Sequence, residues 1–135
     1  AKWLANTLLD EGYDMILEVW ASSSMGIREA IEERGKDVCM IGNCVDESTA
    51  IPGQVPFSNF TDYYKWFYDT MQEVSEGKFE TGVINQGLKE GAVKCLFAED
   101  DVMKVPQEIK DLVAEYEQKI IDGTIVPPAE LEEEQ

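Results

Sequence analysis

The chain has 135 residues, 44% of them hydrophobic and 29% charged, which is enough for one buried core and supports a single α/β domain. Its 28 acids against 11 bases leave a formal charge of −17, which argues strongly against a nucleic-acid partner and disfavours anionic membrane surfaces, because phosphate binding depends on Lys and Arg displacing counterions. The sequence has no His, so imidazole triads and His-ligated metal sites are excluded; Cys39, Cys44 and Cys95 fit neither a zinc knuckle nor a complete disulfide framework, so free thiols are expected, with no metal and no cofactor.

In chain order, Trp3, Leu4, Thr7 and Leu8 lie at helical spacing and Gly12 supplies a stop. This opening reads as the middle of an amphipathic helix, as expected for a piece of a longer precursor. Met15 to Trp20 is a short apolar run of the kind buried on both faces of a parallel sheet. Ser22, Ser23 and Ser24 offer caps to a helix whose stripe is Ile27, Ala30 and Ile31 and whose stop is Gly35, and a second strand follows at Val38 to Ile41. Helix, strand, helix, strand with short loops predicts a doubly wound, mostly parallel sheet.

Val55 to Ser58 predicts a further short strand, kept irregular by Pro56. Asn59 or Thr61 is placed to cap a helix over 59–76, where Phe60, Tyr64, Phe67, Met71 and Val74 form an apolar stripe. Thr81 to Asn85 and Ala92 to Phe97 are β-capable, with a turn between them. The last helix follows Pro106, with Ile109, Leu112, Val113, Tyr116 and Ile120 on one face and a stop at Gly123. Residues 127–135 lack apolar periodicity and predict an acidic flexible tail. No stretch reaches the roughly 18 to 20 apolar residues of a membrane span, and no signal-peptide pattern opens the chain.

Glu76-Gly77-Lys78-Phe79, Gly82 and Gly87-Leu88-Lys89-Glu90-Gly91-Ala92-Val93, continuing through Val105 to Ile109 and Lys119 to Pro127, resemble the ending of the basic membrane protein family. These are the substrate-binding lipoproteins of nucleoside-type ABC importers. The stretch from Gly12 to Gly42, and the spacing from there to Val55, are similar to the same family. The resemblance covers nearly the whole chain but only the C-terminal half of a full-length member. It implies most of the C-terminal lobe of a type I periplasmic binding protein-like fold over 1–126. The helix over 59–76 would then belong to or contact the N-terminal lobe that has no counterpart here. It further implies a nucleoside-like small molecule in an interlobe cleft, an ABC permease as partner, and an extracytoplasmic location through a lipid anchor that precedes these residues.

In open parallel sheets ligands bind beyond the carboxyl ends of the strands. Two segments qualify by position, 20–26 with Trp20, Ser22, Ser23, Ser24 and Gly26, and 42–46 with Asn43, Cys44 and Asp46. The serines suit either ribose oxygens or a helix cap, and Trp20 suits either a stacked base or rim packing. The family's pattern at 42–46 is similar to Gly-x-Asp-x-Asp, where the first Asp is expected to hold sugar hydroxyls; here Cys44 stands at that position and Asp46 matches the second. A thiol cannot accept the two hydroxyl bonds of a carboxylate. The family's ligand-reaching Lys falls on Thr61, and Ser58 keeps the pattern before it. These departures fit a different solute, a weaker grip, or a role in sensing or partner contact.

The paired acids Glu11 with Asp14, Glu32 with Glu33 and Asp100 with Asp101 fall in or beside helix ends and make no catalytic pair, and Cys44 lacks a His partner. A solute-binding module without turnover is therefore the first expectation. An intracellular ligand-sensing domain of the same fold, which unpaired cysteines suit, is the second. A small α/β enzyme is the third, open only because fold does not fix function.

Overall fold

The computed structural model describes residues 1–19, 24–99 and 104–128. Eight elements follow in order: α1 (Lys2–Asp10), β1 (Met15–Leu17), α2 (Ser24–Arg34), β2 (Cys39–Cys44), β3 (Phe57–Thr61), α3 (Tyr63–Ser75), β4 (Val93–Phe97) and α4 (Gln107–Ile121). The four strands form one sheet in the order β1-β2-β3-β4. The first three run parallel, with Leu17 opposite Ile41 and Cys44 opposite Phe60, and β4 returns antiparallel to β3, with Thr61 opposite Val93. The expected mostly parallel α/β sheet is thus present, with an antiparallel edge strand.

The core lies between β1, β2 and the pair α1 and α2. Ala5, Leu9, Ile16, Ala30, Ile31, Val38, Met40, Ile51 and Val55 form it, with Ile27 packed against its margin. The stripe Ile27, Ala30, Ile31 therefore faces inward as its 3.6-residue period requires. Gly35 ends α2 at φ 95°, a conformation that costs a side-chain-bearing residue energy. Gln54 reaches the carbonyls past that helix end, its Nε2 lying within hydrogen-bond distance of Gly35 O at 2.6 Å, Val38 O at 3.0 Å and Ile31 O at 3.2 Å.

Several expectations need correction. In α1 the buried residues are Ala5 and Leu9, while Trp3 is 78% exposed and Leu4 is also open. The helix is where the period put it, but α2 lies against its small-residue side. β1 is not covered on both faces: Ile16 is buried, whereas Met15 and Leu17 are exposed. Phe60 belongs to β3, not to the helix after it, and Thr81 to Asn85 forms no strand and lies exposed. β3 starts at Phe57, just past Pro56, which has no N–H for a ladder. The cap of α3 is neither Asn59 nor Thr61 but Asp62, whose Oδ1 accepts Lys65 N at 2.9 Å.

Two helices carry predicted stripes that the chain leaves open. In α3, Tyr64, Phe67, Met71 and Val74 are all exposed, and no residue of that helix is buried. In α4, Val113 and Ile120 are half-buried toward the sheet, while Ile109, Leu112 and Tyr116 remain exposed. Of the expected tail, Pro127 and Pro128 are exposed and the remainder lies outside the described residues.

Candidate functional site

Parallel pairing brings the carboxyl ends of β1, β2 and β3 to one edge of the sheet. α3 departs from that edge, and the turn at 87–91 arrives there, Ala92 O accepting Asp62 N at 2.8 Å. A polar rim forms as a result. Asn43 and Asn59 sit side by side in the β2–β3 ladder, and Asn59 Nδ2 donates to Asn43 Oδ1 at 3.4 Å. Asn43 Nδ2 donates to Cys44 Sγ at 3.3 Å, and the Tyr63 hydroxyl, one residue into α3 beyond its cap, donates to the same sulfur at 3.5 Å.

Cys44 has φ 69°, the only positive φ at a non-glycine among the described residues. An L-residue holds that conformation at a cost of about 1 kcal/mol or more. The turn breaks the alternation of β2 and leaves the thiol half-buried at the strand tip between Asn43 and Tyr63. The Tyr63 phenol titrates above its ordinary value, first through its bond to Cys44 and then through the charge that Cys44 can carry. Tyr63 also meets Trp66 edge to face, with ring centroids 5.7 Å apart. The rim thus combines two carboxamides, a thiol, a phenol and an aromatic pair, which suits hydrogen bonding and stacking with an uncharged polar ring.

The expected site residues separate into three groups. Asn43, Cys44 and Thr61 lie on the rim; the first two are the closing residues of β2, not part of a loop, and Thr61 ends β3. Asp46 follows in the exposed turn, where its Oδ1 accepts Ser48 N at 2.9 Å. Bonds from the Ser48 side chain and backbone hold its carboxyl below the usual range, so it is ionised at neutral pH. A second group is turned into the fold. Ser58 is 1% exposed, and its Oγ accepts Glu47 N at 3.1 Å beneath the turn. Gly26 packs on the start of α1, where an added Cβ would come within 2.7 Å of Lys2 N. Ser24 opens α2 and is buried. Trp20, Ser22 and Ser23 lie outside the described residues.

Asn59, Tyr63 and Trp66 are rim residues that motif reading missed. Their only signal in the sequence is that they flank the end of a strand parallel to β2, and that register is not a local property. The other two thiols are elsewhere. Cys39 and Cys95 face a cavity of about 420 Å³ beneath α4, lined also by Met15, Phe57, Phe97 and Val113. Met15, Cys39 and Phe57 begin their parallel strands, so this apolar space lies at the end of the sheet opposite the rim. Burial first, and then Asp14 beside Cys39 and Glu117 beside Cys95, pushes both thiols upward. Among the described residues no group of His, Cys, Asp and Glu is arranged to hold a metal ion, and no helix is long and apolar enough to cross a membrane.

The family model Bmp, described as ABC transporter substrate-binding protein PnrA-like, matches residues 1–130. No curated protein matches the chain. Among solved structures, an ABC transporter solute-binding protein from Aeropyrum pernix K1 superposes with a TM-score of 0.80 at 22% identity over 96% of this chain and 44% of its own. A transcriptional activator of the comK gene from Bacillus halodurans gives 0.79 at 20% identity, covering 93% and 43%. An ABC transporter solute-binding protein from Conexibacter woesei DSM 14684 gives 0.68 at 16% identity, covering 94% and 41%. At these identities the likeness is one of fold, and the chain spans less than half the length of each.

Proposed function

The chain belongs to the Bmp family of PnrA-like ABC transporter substrate-binding proteins, and we propose that it forms one jaw of a solute-binding protein that traps a nucleoside-like molecule at the rim and delivers it to an ABC permease without chemical turnover. What carries the reading is the family match over residues 1–130 together with a strand-tip rim of Asn43, Cys44, Asn59 and Tyr63. The carboxamides provide donors and acceptors for a base edge, and Tyr63 with Trp66 provides an aromatic face. Trp20, Ser22, Ser23, Asp46 and Thr61 complete the proposed set around the cleft.

The second jaw is a lobe outside these residues, and the open stripe Tyr64, Phe67, Met71 and Val74 supports placing α3 against it. A contiguous apolar helix face of this kind is ordinarily covered. As for a substrate-binding protein of this family, the working location is extracytoplasmic, on a lipid anchor.

Thermal unfolding of the full-length protein with a panel of adenosine, guanosine, uridine and cytidine tests the reading. A nucleoside present at a hundred times its dissociation constant stabilises the folded state by about 2.7 kcal/mol and raises the melting temperature. A flat response across the panel overturns the nucleoside assignment. The free thiols Cys39, Cys44 and Cys95 favour a second reading, an intracellular sensor domain of the same fold. Recovery of the protein from a membrane or extracytoplasmic fraction rejects it.

A further inference from the structure

Behind the rim, α2 and the turn after β2 are joined by an ion pair that no motif marks. Arg28, just over one turn into α2, donates through a terminal nitrogen to Glu47 Oε2, and the Glu47 side chain is only 9% exposed. Glu47 is bound on its other sides as well. Its N–H donates to Ser58 Oγ at 3.1 Å, and its carbonyl accepts Ala50 N at 2.9 Å. Gly42 makes this approach possible, since a Cβ there would overlap Ser58 Oγ and come within 2.7 Å of Glu47 Cβ.

A buried carboxylate is costly to hold, and well-packed apolar side chains of similar size give equal or greater stability. In a chain with 28 acids, solubility gives no reason to bury this one. The arrangement is also incomplete as a stabilising device, because Arg28 Nε is buried with no hydrogen-bond partner among the described residues. An unsatisfied buried donor of that kind is unfavourable. What the pair does provide is geometry: it ties α2 to the turn that follows Cys44 and carries Asp46.

We propose that Arg28 and Glu47 are positioning residues, a clamp that holds the turn after β2 against α2 and thereby sets the place of Cys44 and Asp46 at the rim and the grip on the solute. The proposal rests on the solute-binding reading above. Neither side chain is assigned a contact with the solute; the pair acts through Cys44 and Asp46.

The test is made in the full-length protein with the double variant Arg28→Met, Glu47→Gln, which removes both charges and leaves neither buried alone. Hydrogen–deuterium exchange of backbone amides 46–50 reads the clamp directly, and adenosine and uridine titrations read its consequence. Exchange at least tenfold faster, with affinity weakened about tenfold and secondary structure retained, is the expected result. Unchanged exchange overturns the clamp, and faster exchange with unchanged affinity makes the pair a purely structural tie and overturns the positioning role. If the double variant does not fold, Arg28→Lys keeps the charge but loses the planar fork, and it is held to the same two readouts. If neither nucleoside binds the parent protein, the nucleoside reading fails while the exchange result still decides the clamp.

Discussion

Ala30 and Ile31 of α2 are fully sealed, whereas Tyr64, Phe67, Met71 and Val74 of α3 stand in solvent, although both helices carry apolar residues at the spacing that marks a buried face, Ile27, Ala30 and Ile31 in the first. The first set has its partners within the chain: α1 covers α2, and both cover β1 and β2. The second set has none among the described residues. Amphipathic spacing therefore reports that a face is built for contact, and it is silent on whether the contact is made within the same piece of chain.

Replacing a residue on each side sharpens this contrast. Ile31→Ala removes a fully buried side chain from the core and should cost about 2–5 kcal/mol, read from the denaturant midpoint at unchanged slope. A loss below 1 kcal/mol would mean that the α1–β2 region is not the stabilising centre. Next in size is Gly42→Ala, where the added methyl meets Ser58 and Glu47 at the base of the rim turn. Overpacking there should cost about 1–3 kcal/mol and loosen amides 46–50; a neutral result would show that the turn is not held as described. The smallest effect belongs to the pair Phe67→Ser, Met71→Ser on α3, which should change the stability of this chain by about 0.5 kcal/mol or less. A loss of 2 kcal/mol would show that the stripe is covered within the chain after all, and the contrast between the two regions would dissolve.

Much of the fold is legible in the sequence. Each of the eight elements begins or ends within four residues of a punctuation signal, Gly12, Gly35, Pro56, Gly77, Gly91 or Pro106. The errors concern partners more than elements. Trp3 was placed on a buried face because bulk suggests burial, yet the side that meets α2 carries Ala5 and Leu9. Thr81 to Asn85 has strand composition without a strand, since β-propensity is a fit to a neighbouring surface and no neighbour is described there.

The site was legible in part. Asn43, Cys44 and Asp46 were placed at a strand end by counting from the apolar run before them. Asn59 and Tyr63 join them only because β3 lies parallel to β2 with Asn43 opposite Asn59, and Ser58, one residue away, is turned under the loop by the alternation of the strand. Arg28 and Glu47 are 19 residues apart on different elements, and no local pattern pairs them.

What the sequence determined by itself was the class of chemistry and the periodic elements: no imidazole, a strongly acidic chain, and helices and strands whose apolar spacing follows from backbone geometry. What only the tertiary structure decided was which faces are covered, which strand ends share an edge, and which buried ion pair joins α2 to the turn after β2. Those depend on register and on contacts between residues far apart in the chain, which short-range spacing does not encode.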